Sequence, residues 1–388
     1  MRGFEGSSSK EIGNILTLEE LRVKGCIFRA RKFLLSQKSH FTMKNTLLLF
    51  LLLIFPVYFF TGCSGDEYNE NIFKSSATGD PGKILIILDK QFWGTPLEKV
   101  IVEHFQKDIT TLPQPEKTFS IEISARKSFT KELKRNHTIV IFDIGDKANN
   151  RNARLEEATQ DLWSIGQVVY KFRAANQKSA TALYLNEVDH LIAELNENSR
   201  KKLMREYEFK GSTEVVKQLS EIQKLSVSVP SDMRIEENYA GFSWLKRFRT
   251  KLADNKEHEI QQGLIIYTYP YVDDSTFSLD YQISKRDSVF KYAVPGPTEG
   301  SYMATERRFG MQPEFSQKMI NGLYVFEMRG LWRVEGDLMG GPFLSISMFD
   351  EPNNRIVTIE GYVYAPHFEK REYLREMEAM IYSYQFIK

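Results

Sequence analysis

The sequence predicts two layered domains in series, an α/β domain followed by an α+β domain whose antiparallel sheet is closed by a C-terminal helix. Three observations predict it. Strand-like and helix-like runs alternate as far as Leu225. From Ser226 onward short strand-like runs dominate. The final run is an amphipathic helix, with Tyr373, Leu374, Met377, Met380, Ile381 and Tyr384 on one face.

The elements follow in order. Residues 84–88 form a continuous apolar run, the mark of a strand buried on both faces. Thr95-Pro96 reads as an N-cap and first helical position, and Leu97, Val100, Ile101, Phe105 and Ile109 give the stripe behind it. Strands are expected at 119–124 and 139–144, with a short helix at 131–135 between them. A helix is expected at 154–165 and a strand at 168–172. Long helical patterns cover 187–208, with Val188, Leu191, Ile192 and Leu195 on one face, and 213–225. Residues 226–230 alternate like an edge strand ending at Pro230. Further strands are expected at 264–269, 277–283, 323–328, 343–349 and 356–364. The second half is weakly similar to the Mog1/PsbP-like sandwich, a likeness of fold alone.

A chain of 388 residues is long for one core, which agrees with two domains, here 81–225 and 226–388. Residues 1–62 hold nine of the 52 Lys/Arg and four of the 51 Asp/Glu. The remainder therefore carries 43 basic and 47 acidic side chains, a net of −4. A mildly acidic body has no electrostatic footprint for nucleic acid.

The segment 47–60 is apolar, too short to span a bilayer and of the length of a signal-peptide core, with Lys44 before it. Thr61-Gly62-Cys63-Ser64 follows and resembles a lipobox, in which small residues precede a cysteine that takes diacylglycerol before cleavage. Phe60 departs from the Leu-like residue usual there. The reading is a signal peptide at 43–62, an acylated Cys63, and a partner that is the membrane itself. A cleaved secretory signal with an incidental cysteine is the alternative. Cys26 is the other cysteine, so a processed chain has no disulfide and no thiolate metal ligand. Residues 63–80, rich in Ser, Thr, Gly, Asp and Glu, read as a flexible polar tether.

Five stretches carry a sharper likeness. They are Leu112-Pro113-Gln114-Pro115-Glu116, Val294-Pro295-Gly296-Pro297-Thr298-Glu299-Gly300-Ser301-Tyr302-Met303, Arg329-Gly330-Leu331-Trp332, Met339-Gly340-Gly341-Pro342-Phe343 and Lys370-Arg371-Glu372-Tyr373-Leu374. The chain after Cys63 thereby resembles a Bacteroidota lipoprotein family, domain of unknown function 4837. The resemblance implies an envelope location, in an outer membrane facing the periplasm or the surface. It implies no activity, and no cofactor.

Chemical motifs are sparse. There is no phosphate-binding G-x-x-x-x-G-K-[ST] loop and no G-x-S-x-G elbow. His258-Glu259 begins an H-E-x-x-H motif, but position 262 is Gln, so no metal site is read. His190 stands alone on a helix. The stretch 286–343 packs Gly296, Gly300, Gly340 and Gly341 among Pro295, Pro297 and Pro342. Arg307, Arg308, Arg329 and Arg333 lie near Glu299, Glu306, Tyr302 and Trp332. One reading is a groove with Trp332 as anchor and Arg307, Arg308 and Arg329 gripping an anion. The other, favoured because Gly and Pro usually serve turns, is a set of tight turns around a core Trp332. Ser275 and Ser288 sit in Asp-Ser contexts that resemble Bacteroidota O-glycosylation sites. The absence of a nucleophile–base pair, a metal cluster or a phosphate loop points to a binding or assembly module with an unknown envelope protein or glycan as partner. A glycan or peptidoglycan hydrolase or transferase, acting through unmarked carboxylates, is the alternative. Met43-Lys44-Asn45 reads as the natural start. Peptide mapping of native cells is therefore expected to find no peptide from residues 1–42, and finding one overturns that start.

Overall fold

The computed structural model describes residues 74–145 and 153–387, all within one compact unit. Residues 1–42, the signal peptide, Cys63 and the start of the tether lie outside the described residues. Residues 74–80, expected to belong to that tether, are bonded to the body. Ala77 donates to Ile165 O at 2.8 Å, Thr78 to Arg135 O at 2.7 Å, and His137 N to Thr78 O at 2.8 Å.

Among the described residues the first sheet holds β1 (Lys83–Ile87), β2 (Ser120–Ser124), β3 (Thr138–Ile144), β4 (Arg154–Gln160) and β5 (Val168–Ala174). Their order is β2-β1-β3-β5-β4, parallel except for β4. Helices α1 (Pro96–Phe105) and α2 (Gln177–Lys210) cover one face through Leu97, Ile101, Phe105, Tyr184, Val188 and Leu191. Phe129, Leu133 and Trp163 cover Leu85, Ile87, Ile139, Ile141 and Val169 on the other. Both faces of β1 are therefore apolar, which is why residues 84–88 show no alternation. The helix expected at 154–165 is instead the edge strand β4 and its hairpin. Leu, Glu and Ala there favour a helix, but pairing with β5 overrides that preference, and Asp161 at φ 52° with Gly166 at φ 81° turns the chain.

Helix α2 is 34 residues long, about 51 Å of rise. Asn176 and Ser179 cap its start reciprocally. Its first half packs on the parallel sheet, while Leu203 and Tyr207 near its end join the core of the second sheet. Ser199 ties its middle to Pro81 O at 2.7 Å. One rigid rod thus belongs to both halves.

The second sheet is antiparallel, with β10 (Tyr302–Thr305), β12 (Leu323–Glu335), β13 (Gly340–Asp350), β14 (Arg355–Tyr364), β9 (Lys256–Pro270), β8 (Phe242–Ala253) and β7 (Arg234–Tyr239) in that order. A further strand, β11 (Glu314–Ile320), pairs with the first half of β12. Leu264, Leu344, Ile346, Val357 and Ile359 point to one face, under α5 (Arg371–Tyr382). Ile265, Tyr267, Phe343, Ile356 and Trp332 point to the other, under α4 (Leu279–Ala293). A Cβ on Gly361 would meet Met377 Cβ at 2.7 Å, so the missing side chain lets α5 lie on the sheet.

Three expectations change here. The strand expected at 277–283 is the start of α4, where the Ser278 hydroxyl accepts from Tyr281 N at 3.4 Å. Residues 226–230 reduce to the two-residue strand β6 (Leu225–Ser226), paired with β15 (Gln385–Phe386), although Val227 and Val229 stay buried. Helix α3 (Thr213–Gln223), placed in the first domain by the sequence, packs Val215 and Leu219 into the second sheet's core.

His137 is buried, with Nδ1 2.8 Å from Thr138 Oγ1. Burial, aided by Lys202 and Arg205, lowers its pKa from 6.5 to about 3. The unfolded chain takes up this proton and the folded one resists it. Stability from this group is therefore full above pH 6.5 and lost as pH falls from 6.5 toward 3. We expect the melting temperature to drop across that window and the drop to shrink in His137→Gln, measured by thermal unfolding at stepped pH.

Candidate functional site

Helix α5 sets the geometry of a strongly cationic cleft. Arg371, Arg375 and Glu378 recur at helical spacing and share one face. Leu374, Met377 and Ile381 face the sheet instead. The start of α5 is held by Glu116, whose carboxylate accepts from Lys370 N at 2.8 and 2.9 Å and from Arg371 N at 2.7 Å. A buried carboxylate at a helix N-terminus meets both the open N–H groups and the helix dipole.

The cleft, of about 460 Å³, opens between α2, α5, β11, β12 and the 109–118 segment. Arg200, Lys318, Arg329, Arg371 and Arg375 line it, with Asn196, Thr118 and Glu378. Glu378 accepts from Arg329 Nη2 at 2.9 Å and Arg200 Nη1 at 3.1 Å. Glu327, 2% exposed, accepts from Arg329 Nε at 2.7 Å and Lys318 Nζ at 2.6 Å, and from the Tyr382 hydroxyl. Burial pushes the Glu327 carboxyl up, but Arg329 and Lys318 overcome it and hold it at about 2. Glu378 is likewise held low, since Arg329 and Arg200 outweigh its burial. Arg375 donates to Asn196 Oδ1 and Thr118 O, both at 2.9 Å. Arg371 reaches Glu372, Lys117 O and Ser120.

The groove expected from the sequence is divided by strand alternation. Arg329 and Trp332 lie three positions apart on β12, so they point to opposite faces of the sheet. Trp332 is 2% exposed, packs edge-on against Tyr362 and donates Nε1 to Val363 O at 3.3 Å. A Cβ on Gly341 would lie 2.1 Å from that same carbonyl, so the glycine lets the Val363 backbone approach closely enough to accept from the indole. Tyr302, Arg307 and Arg308 do come together, around a separate cleft of about 510 Å³ with Asp287, Lys291 and Arg333. There Arg308 holds Glu306 at about 2. Glu299 is exposed in the turn before β10. Ser275 is exposed and donates its hydroxyl to Asp273 at 2.5 Å, and Ser288 is exposed on α4. The His258 ring centroid lies 3.8 Å from that of His367 with the planes tilted by 38°, and His190 is solvated near Glu194.

Another groove, of about 1010 Å³, runs past Lys217, Tyr324, Phe349 and Phe386. It is more apolar and lacks a built polar interior. Sequence reasoning missed Asn196, Arg200, Arg375 and Glu378 altogether. The spacing of Arg371, Arg375 and Glu378 on an otherwise apolar-faced helix was the available signal. Among the described residues no group of three His, Cys, Asp or Glu could hold a metal ion.

Removing Trp332 leaves a large core void, so Trp332→Ala is expected to lose about 3–5 kcal/mol of stability. Arg329→Ala removes the cation that Glu327 and Glu378 share, leaving them Lys318 and Arg200, and is expected to lose about 1.5–3 kcal/mol. Facing opposite layers, the two losses should add to within about 0.5 kcal/mol in denaturant unfolding of the double variant.

The comparisons with known proteins bear on the two halves separately. A model described as Domain of unknown function (DUF8532) matches residues 77–208. That match contains the 112–116 stretch. No curated protein matches the chain. A solved mutant of the protein Mog1 is similar over 42% of this chain and 92% of its own, at 9% identity and a TM-score of 0.28. Residues 212–383 match the model described as Domain of unknown function (DUF4837), so the family likeness carried by the stretches at 294–303, 329–332, 339–343 and 370–374 holds for this region.

Proposed function

We propose that this chain is a lipid-anchored protein of the cell envelope that binds or assembles with another envelope component through the α5 cleft. The observation that carries the reading is the concentration of five cations around one cleft whose carboxylates are held ionised. Such a site recognises an anion without offering a proton. The anchor, on Cys63, and the outer-membrane address come from the sequence. Among the described residues no helix is long and apolar enough to cross a membrane.

A hydrolase or transferase working by paired carboxylates needs one acid that keeps its proton near neutral pH. Glu327 and Glu378 are pushed the opposite way. Burial raises Glu360, but its side chain is fully buried against Arg286 and unreachable by substrate. The cleft therefore suits recognition better than glycoside or acyl transfer.

Detergent phase partitioning and crosslinking test the proposal. The wild type should enter the detergent phase and Cys63→Ala should shift to the aqueous phase after signal processing. Crosslinking in native envelopes should trap a defined partner in wild type and far less of it in Lys318→Gln. Equal partitioning of the Cys63 variant overturns the anchor. Crosslinks indifferent to Lys318 overturn the cleft.

A further inference from the structure

The charge around the α5 cleft does not balance. Arg200, Lys318, Arg329, Arg371 and Arg375 line it or project into it. Against them stand Glu327, Glu372 and Glu378, through the contacts already described. Five cations facing three carboxylates leave a formal excess of two positive charges. Away from bulk water, like charges repel strongly, and an uncompensated excess is costly.

Arg375 registers that shortage directly. Its side chain is 6% exposed, its Nε lacks a hydrogen-bond acceptor, and Glu372 Oε2 stands 3.6 Å away. Burial lowers the guanidinium below its ordinary range, outweighing Glu372 and Glu378, with Arg371 and Arg200 pushing the same way. At the rim, Arg200 and Lys318 are 20% and 41% exposed. Each meets a carboxylate on one side and the open cleft on the other. Asn196 and Thr118 supply neutral polar groups to the wall.

We infer that the cleft is a binding site for a phosphate monoester, whose two negative charges match the excess and whose oxygens accept from Arg200 and Lys318. This rests on the binding-module reading and names its ligand class. A phosphate monoester carries about −1.5 to −2 near neutral pH and presents three acceptor oxygens. A carboxylate would neutralise half the excess. The volume of about 460 Å³ also admits the small group that bears the phosphate, in a soluble ester or in a lipid headgroup.

The test uses the full chain in detergent, titrated calorimetrically with glycerol 3-phosphate, with short-chain phosphatidic acid, and with acetate and short-chain phosphatidylcholine as controls. Saturable binding of either phosphate monoester, with neither control binding comparably, is expected. Binding of glycerol 3-phosphate points to a soluble source, and binding of phosphatidic acid alone to a headgroup. Arg200→Gln and Lys318→Gln should each weaken the interaction about tenfold or more, as loss of a charge-assisted contact does. Lys210→Gln, exposed on the same helix beside Glu206, should change nothing. Thermal unfolding of each variant confirms that it is folded. Failure of both monoesters to bind folded wild type, equal binding of acetate, or indifference to both cleft variants overturns the inference. If a partner is still crosslinked through the cleft in that case, the binding-module reading stands and only the ligand class falls.

Discussion

The structure turns on the way α5 is held on two sides at once. Its apolar face lies on the antiparallel sheet, close enough that Gly361 can carry no side chain beneath Met377. Its charged face reaches across to α2 through the Arg200–Glu378 pair and to β12 through Arg329. Its N-terminus is closed by Glu116 from the first half of the chain, 254 residues away in sequence. Packing alone would let the helix slide along the sheet. The directional hydrogen bonds at its start and on its polar face fix one position.

That arrangement explains why two sequence regions with separate family likenesses behave as one unit. Helix α2 begins in the core of the parallel sheet and ends in the core of the antiparallel one. Arg371 and Arg375 then donate to main-chain carbonyls of Lys117 and Thr118. The cations are bound to be near the junction because they build it, and the cleft is the space left where they outnumber their partners. In the proposed reading, structural and recognition roles share the same side chains, and the ligand would contact both halves.

The second buried pair shows the contrasting case. Arg286 and Glu360 are fully buried, joined by bonds of 2.8 and 2.7 Å, with Thr305 accepting a third at 2.9 Å. The Arg286 guanidinium lies over the rings of Phe290 and Phe343. Here the one cation meets Glu360 and, at 3.6 Å, also Asp287, and the Arg286–Glu360 pair is sealed. Complete pairing marks a structural element. At the α5 cleft the pairing is incomplete, and the proposed ligand would complete it.

By itself the sequence determined the elements whose burial is simple. The apolar runs of β1 and of β12 to β14 and the stripes of α1, α2 and α5 are legible because each carries its signal locally, as a continuous apolar stretch or a helical repeat. It also determined the layered α/β then antiparallel order, and the stretch at 370–374 that starts α5. Tertiary structure decided what depends on partners distant in sequence. The edge strand β4 is written in helix-favouring residues and exists through pairing with β5. The stripe of α4 is broken by Arg286, which reads as a surface residue until Glu360 is brought beneath it. Trp332 and Arg329 look like neighbours along the chain, yet the pleat of β12 sends them to opposite layers. The cleft itself joins residues 109 to 378, and no local period records that convergence, because electrostatic partners are chosen by distance in space.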